Sequence, residues 1–194
     1  NFDKETFQRE QKEKALKMAD AVISYLALPH NKSLLDLAKS PMILQIIALL
    51  WKEKGFKANS RSKLYTAAMH YLLEERDVEK DIPMFMDANS AINILKPTAM
   101  WMQEQVVADD IEIDKMHTYL QQHLNSYNKD AKDFCDFLCE RAGLLISYGN
   151  RSYIFRHKSF REFLVGLRIA SLWQDKKAMR RISTHLGEEW WKEP

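Results

Sequence analysis

Apolar positions recur at three- and four-residue intervals along most of this chain, the spacing of helices with one buried side. Residues 3 to 28 read as one helix. Asp3 is its candidate N-cap, and Phe7, Leu16, Ala19, Val22, Ile23 and Leu26 form a drifting apolar stripe that ends at Pro29 and Asn31. A short helix, Ser33 to Ala38, stops at Lys39-Ser40-Pro41. Pro41 suits the first turn of the next helix, Met42 to Lys54, because its missing N–H costs nothing there. That helix is apolar nearly all round, which predicts a central position, and Gly55 reads as its C-cap. Arg61 to Glu79 follows, with Leu64, Tyr65, Ala68, Tyr71 and Leu72 on one face, then a loop at 81–83. Ser90 to Val107 is helical, with Pro97 implying a kink or a fresh start. Asp114 caps a helix to Leu124, and Asn128 or Asp130 starts another that reaches Arg141.

The period changes to two briefly at Ile111-Glu112-Ile113 and more fully after Gly143. Leu144, Ile146 and Tyr148 alternate with Leu145 and Ser147. After Gly149-Asn150, Tyr153, Phe155 and His157 alternate with Ile154 and Arg156. Alternation on both sides of a Gly-Asn pair is a hairpin signal. If Phe155 faces the core, His157 faces inward at the strand's end. Ser159 and Glu162 then fit a capping box, and Phe160, Phe163, Leu164 and Leu167 recur at helical spacing. His157 therefore precedes a helix N-terminus, where unpaired N–H groups favour an anion. It either donates to a phosphate or is a buried histidine tying strand to helix through a backbone carbonyl.

Helix, short strand, helix, helix, strand, turn, strand is winged-helix order. The fold expected is mainly α, a helical bundle followed by a winged-helix domain with one small β-hairpin. The domains expected are 1–58, a lid-like helical domain; 59–174, the winged helix; and 175–194, the start of a second helical domain with a helix over about 175–186.

Composition narrows the function more than the fold. Of 194 residues 46% are hydrophobic, while five Gly and five Pro suit a helical protein with short connections. A formal charge of +2 makes no net electrostatic case for nucleic acid. Cys135 and Cys139, four apart on one helical face, read as reduced core thiols of an intracellular protein, and a cytoplasmic location is expected. The longest apolar run, Leu34 to Trp51, is broken by Asp36, Lys39 and Pro41, so no membrane contact is expected. Trp190 and Trp191 near the end would leave apolar surface in water, which suggests a fragment of a longer protein.

YIFRHKSFREFLVG resembles the aromatic-x-x-His-x-(Ser/Thr)-Phe-(Gln/Arg)-Glu-(Tyr/Phe)-Leu segment that ends the winged-helix domain of NACHT-type NTPases, signal-transduction ATPases with numerous domains. The resemblance implies that His157 contacts the β-phosphate of bound ADP and helps hold a resting state; Arg161 stands where glutamine is commoner. LLDLAKSPMILQIIALLWKEKG looks like the helical domain after that family's nucleotide-binding core, and RSKLYTAAMHYLLEE like the opening of its winged-helix region. The first implies that Pro41 packs on adenine, although Lys39 replaces the usual glycine. Without a ligand, Pro41 is an ordinary first-turn proline.

No G-x-x-x-x-G-K-(Ser/Thr) phosphate cradle occurs in the chain, and no catalytic triad or metal-ligand spacing stands out. A catalytic role is therefore not expected, and the function that the resemblance implies is regulatory: a non-enzymatic portion closing over ADP, as a switch in signalling or defence. ADP or ATP with Mg²⁺ would belong to the full-length protein, and the isolated chain would hold neither. Its partners would be its own nucleotide-binding domain and, through oligomerisation, further copies. The competing classes are a DNA-binding winged helix and a protein-interaction module, the latter hinted at by Trp190-Trp191. Asp130, Asp133, Asp136 and Glu140 on the would-be recognition helix argue against DNA.

Overall fold

The computed structural model describes residues 4–55, 57–105, 110–149, 151–185, 187–188 and 191. Asp3, Val107, Asn150 and Trp190, which figure in the expectations above, lie outside them. By packing, the chain divides into two compact units, 1–68 and 69–194.

The first unit is helical. α1 (Lys4–Leu26) packs on α2 (Lys32–Ala38) and α3 (Pro41–Lys54), with a 3₁₀ turn, Pro29–Asn31, between α1 and α2. Its core is Val22, Leu26, Leu34, Ile43, Ile46, Ile47, Leu50 and Leu64. Tyr25 fastens it, tilting against the Trp51 ring at 5.2 Å and donating its hydroxyl to the Ala58 carbonyl at 2.6 Å. Gly55 ends α3 at φ 57°, a left-handed value that favours glycine. Two expectations need correction. α3 is not covered all round, because Leu44 is 43% exposed while Ile43, Ile46, Ile47 and Leu50 share the buried side. The stripe on α1 is buried only at Val22 and Leu26, leaving Phe7, Leu16 and Ile23 exposed. No single helix among the described residues is long and apolar enough to cross a membrane. The bent pair Pro29–Ala38 and Pro41–Lys52, which meets that test by length and composition, buries Leu34, Ile43, Ile46, Ile47 and Leu50 in this core and leaves Leu35 and Leu44 exposed.

The second unit opens on the end of α4 (Arg61–His70), which continues as a π-helical stretch, Tyr71–Glu75, and a last turn, α5 (Arg76–Val78). The wide turn adds a residue and rotates the buried face. Leu73 is therefore fully buried where regular spacing points to Leu72. α6 (Ala88–Glu104) is capped by Asp87, which accepts from the Ser90 N–H at 2.9 Å, and by Glu74, which accepts from the Ala88 N–H at 2.8 Å. Pro97 sits inside this helix and does not restart it. α6 packs most extensively on α9 (Lys158–Ser171), burying Ala91, Leu95, Ala99 and Met102 of one helix and Phe160, Leu164 and Val165 of the other.

Between these helices lie β1 (Asp110–Glu112), α7 (Ile113–Leu124), α8 (Ala131–Asp136) with a second π stretch at Phe137–Arg141, β2 (Leu145–Tyr148) and β3 (Ser152–Phe155). The hairpin is thus part of a three-stranded antiparallel sheet in the order β1-β3-β2. Its register pairs Leu145 with Phe155, Ser147 with Tyr153, and Ile111 with Tyr153. Leu144 lies in the bend before β2 rather than in the strand. α7 begins at Ile113, so Asp114 lies in its first turn and is not the cap. α8 starts after Asp130, whose carboxylate accepts from the N–H groups of Lys132 and Asp133 at 2.8 and 3.1 Å. Such a cap is worth about 1 kcal/mol. Gln121 closes the α7–α8 connection, accepting from the Ala131 N–H and donating to the Lys129 carbonyl.

The second π stretch is joined to α5 by charge. Arg141 Nη2 donates to Asp77 Oδ2 and to the Pro83 carbonyl, each at 2.6 Å, and its guanidinium lies 5.4 Å from the Phe137 ring centre. Asp77 is 2% exposed. α10 (Lys176–Ser183) follows, capped by Asp175, and Trp191 is buried and stacked on His185 at 4.8 Å. The second of the paired tryptophans therefore folds back on the protein instead of facing water.

Candidate functional site

The turn after α8 and the neighbouring strands hold the end of β3 in place. The α8 helix stops at Gly143, whose φ of 68° needs glycine, and the Leu144 N–H returns to the Leu138 carbonyl at 2.9 Å. Arg156 then straps the strand to this turn. Its backbone N–H donates to the Leu144 carbonyl at 2.8 Å and its Nε to the Gly143 carbonyl at 3.0 Å. On the strand's other side Tyr153, paired with Ile111, sets its hydroxyl between His117 Nε2, at 3.3 Å, and the Cys135 thiol. β3 is central in the sheet, and Ser152, Tyr153 and Phe155 are all buried.

His157 is the next residue and the N-cap of α9, with extended backbone at φ −135° and ψ 122°. Its side chain is half-buried and makes no hydrogen bond among the described residues, neither to the helix N–H groups nor to a backbone carbonyl. Burial first, and the Arg156 charge second, lower its pKa, so the neutral imidazole dominates at pH 7. The expected capping box is absent. The helix starts at Lys158, Ser159 lies inside the first turn, and Glu162 faces Lys158 Nζ at 3.2 Å. Neither a side-chain cap nor an acidic residue occupies that first turn. Its surroundings are cationic, with Arg156 and Lys158 outside and Arg161 buried at 2% exposure one turn on. An imidazole N–H at a helix N-terminus can bind an anion.

Pro41 belongs to the other unit. It is exposed at the first position of α3, after Ser40 in extended conformation with no side-chain cap. It satisfies the first-turn proline reading and leaves its ring face uncovered.

Neither cysteine is activated. Burial raises the Cys135 thiol far above its usual range and Cys139 to about 11. Both are free; Cys135 is fully buried and Cys139 half-buried, because the π stretch that begins at Phe137 turns the second off the first one's face. Among the described residues no group of His, Cys, Asp or Glu could hold a metal ion. Periodicity did not disclose the Asp77–Arg141 pair or the exposure of Trp173, at 75%. The first joins residues 64 apart in sequence. The second stands just past α9, where helical spacing says nothing of which side faces water.

No family model, curated protein or solved structure matches this chain.

Proposed function

We propose that this chain is the helical and winged-helix portion of a NACHT-type NTPase. It would close over ADP held by a separate nucleotide-binding domain and act as a conformational switch in signalling or defence. The observation that carries the reading is His157: a neutral imidazole at the N-cap of α9 whose side chain is not used to cap that helix. One ring nitrogen carries a proton and can donate it to a diphosphate oxygen. The strap through Arg156 fixes where that donor stands. The order α6, β1, α7, α8, β2, β3, with β3 central, supports a winged helix. Pro41, from its own unit, would supply apolar contact to the base. Mg²⁺ and ATP would belong to the nucleotide-binding domain.

The DNA-binding alternative loses its best cation. Arg141, at the end of the would-be recognition helix, is committed to Asp77 and Pro83, and Lys132 pairs with Asp136 at 2.6 Å. Asp133 and Glu140 remain exposed on that helix and would repel phosphates.

The test is His157→Ala in the intact protein. A hydrogen bond to a charged group is worth about 1.5–3 kcal/mol, so ADP retention should weaken about 10- to 150-fold. Loss of ADP should also shift the population toward the signalling form. Pro41→Ala should act in the same direction but less. Unchanged ADP retention with a lower melting temperature would show that His157 only packs.

A further inference from the structure

The surface made by α10 and the chain leading into it has no part in the reading above. α10 is amphipathic, and every charged residue on its polar side is a cation. Lys176, Lys177, Arg180 and Arg181 stand at positions i, i+1, i+4 and i+5, within one side of the helix, and all four are exposed. The opposite side turns inward through Ala178, Met179 and Ile182, the last only 4% exposed. Three residues before this helix begins in sequence stands Trp173, 75% exposed, the only large exposed apolar side chain described between residues 151 and 188.

The acidic groups nearby offset little of this charge. Glu104 takes Arg181 at 3.1 Å, Glu188 takes His185 at 3.2 Å, and Asp175 is engaged in capping α10 through the Lys177 and Ala178 N–H groups. No ion pair or hydrogen bond of the Lys176, Lys177 or Arg180 side chains to an acidic side chain occurs among the described residues.

We propose that this face binds single-stranded nucleic acid. The residue types match what such a ligand presents. Cations at i and i+4 stand about 6 Å apart along the axis and follow a phosphate backbone. An exposed indole offers a flat surface on which a base stacks, whatever its identity. A bilayer would need an apolar side to enter it, and the apolar side of α10 is already spent on the core. The would-be recognition helix, with its carboxylates, is a different surface and takes no part.

The experiment is a titration of a fluorescein-labelled 20-nucleotide oligouridylate with the 194-residue chain. An oligothymidylate of equal length forms a second arm that separates RNA from DNA, and vesicles containing anionic phospholipid form a third. Saturable binding is expected. With three phosphate contacts it should weaken about 18-fold between 50 and 200 mM salt. Trp173→Ala should weaken it about 5- to 150-fold, and Trp173→Phe should retain most of it. Replacing Lys176, Lys177 and Arg180 by Gln together should flatten the salt dependence. All of these changes are on the surface, so melting temperatures should stay within a few degrees. No saturable binding at 50 mM salt would overturn the proposal. So would binding indifferent to Trp173→Ala, or a preference for the vesicles that depends on the same residues.

Discussion

Removing the Arg141 guanidinium is the sharpest test of how the second unit is held together. Arg141 Nη2 lies 2.6 Å from both Asp77 Oδ2 and the Pro83 carbonyl. Asp77 is 2% exposed, so Arg141→Ala strands a carboxylate where water hardly reaches it. Breaking a buried ion pair from one side costs about 3–5 kcal/mol. The Arg141 side chain is itself 31% exposed, so water can partly fill the vacated place. About 3 kcal/mol is therefore the expected loss, toward the lower end of that range. For a unit of this size it should lower the melting temperature on the order of 10 °C. Urea unfolding at pH 7 measures the loss, with Asp77→Leu and the double variant completing a cycle. The double variant should recover most of the loss, because two apolar groups leave no charge buried. A loss under about 1 kcal/mol for Arg141→Ala, or a double variant no better than the single, would refute the reasoning.

Two further outcomes follow from the same structure. Burial first, and Arg168 second, lower the His123 pKa, and His157 is lowered in the same direction. The fold therefore favours neutral histidine, so stability should be level above the ordinary histidine value of about 6.5 and fall as pH drops below it. Melting temperatures from pH 7.5 to 5 should show this fall, made shallower by His123→Phe, which keeps a ring against Tyr119; an identical slope would refute it. Iodoacetamide at pH 8 should alkylate Cys139 slowly and Cys135 more slowly still, since burial raises both thiols and encloses Cys135 fully. Peptide mapping that finds Cys135 modified first would contradict the described packing of α8.

Much of the fold follows from the sequence alone, because its signals are local. Pro41 and Gly55 mark the two ends of α3 through the geometry of their own backbones. Asp130 begins α8 because a short carboxylate satisfies neighbouring N–H groups. The alternation around Gly149 shows that Tyr153 and Phe155 face the core. Of the candidate site, local signals reveal that His157 comes at a strand's end just before a helix, and that Pro41 begins one. They mislead where two structures satisfy one pattern: Ser159 and Glu162 have capping-box spacing, yet the helix starts two residues earlier and leaves His157 as the cap. Tertiary structure alone decides the rest. The π stretches at Tyr71–Glu75 and Phe137–Arg141 break the regular period, so Leu73 is buried more deeply than Leu72 and Cys139 less than Cys135. The meeting of Arg141 with Asp77 depends on where two distant helix ends come together. Burial of Trp191 and exposure of Trp173 are settled likewise by which surfaces the core has already covered, a quantity that no single stretch of chain contains.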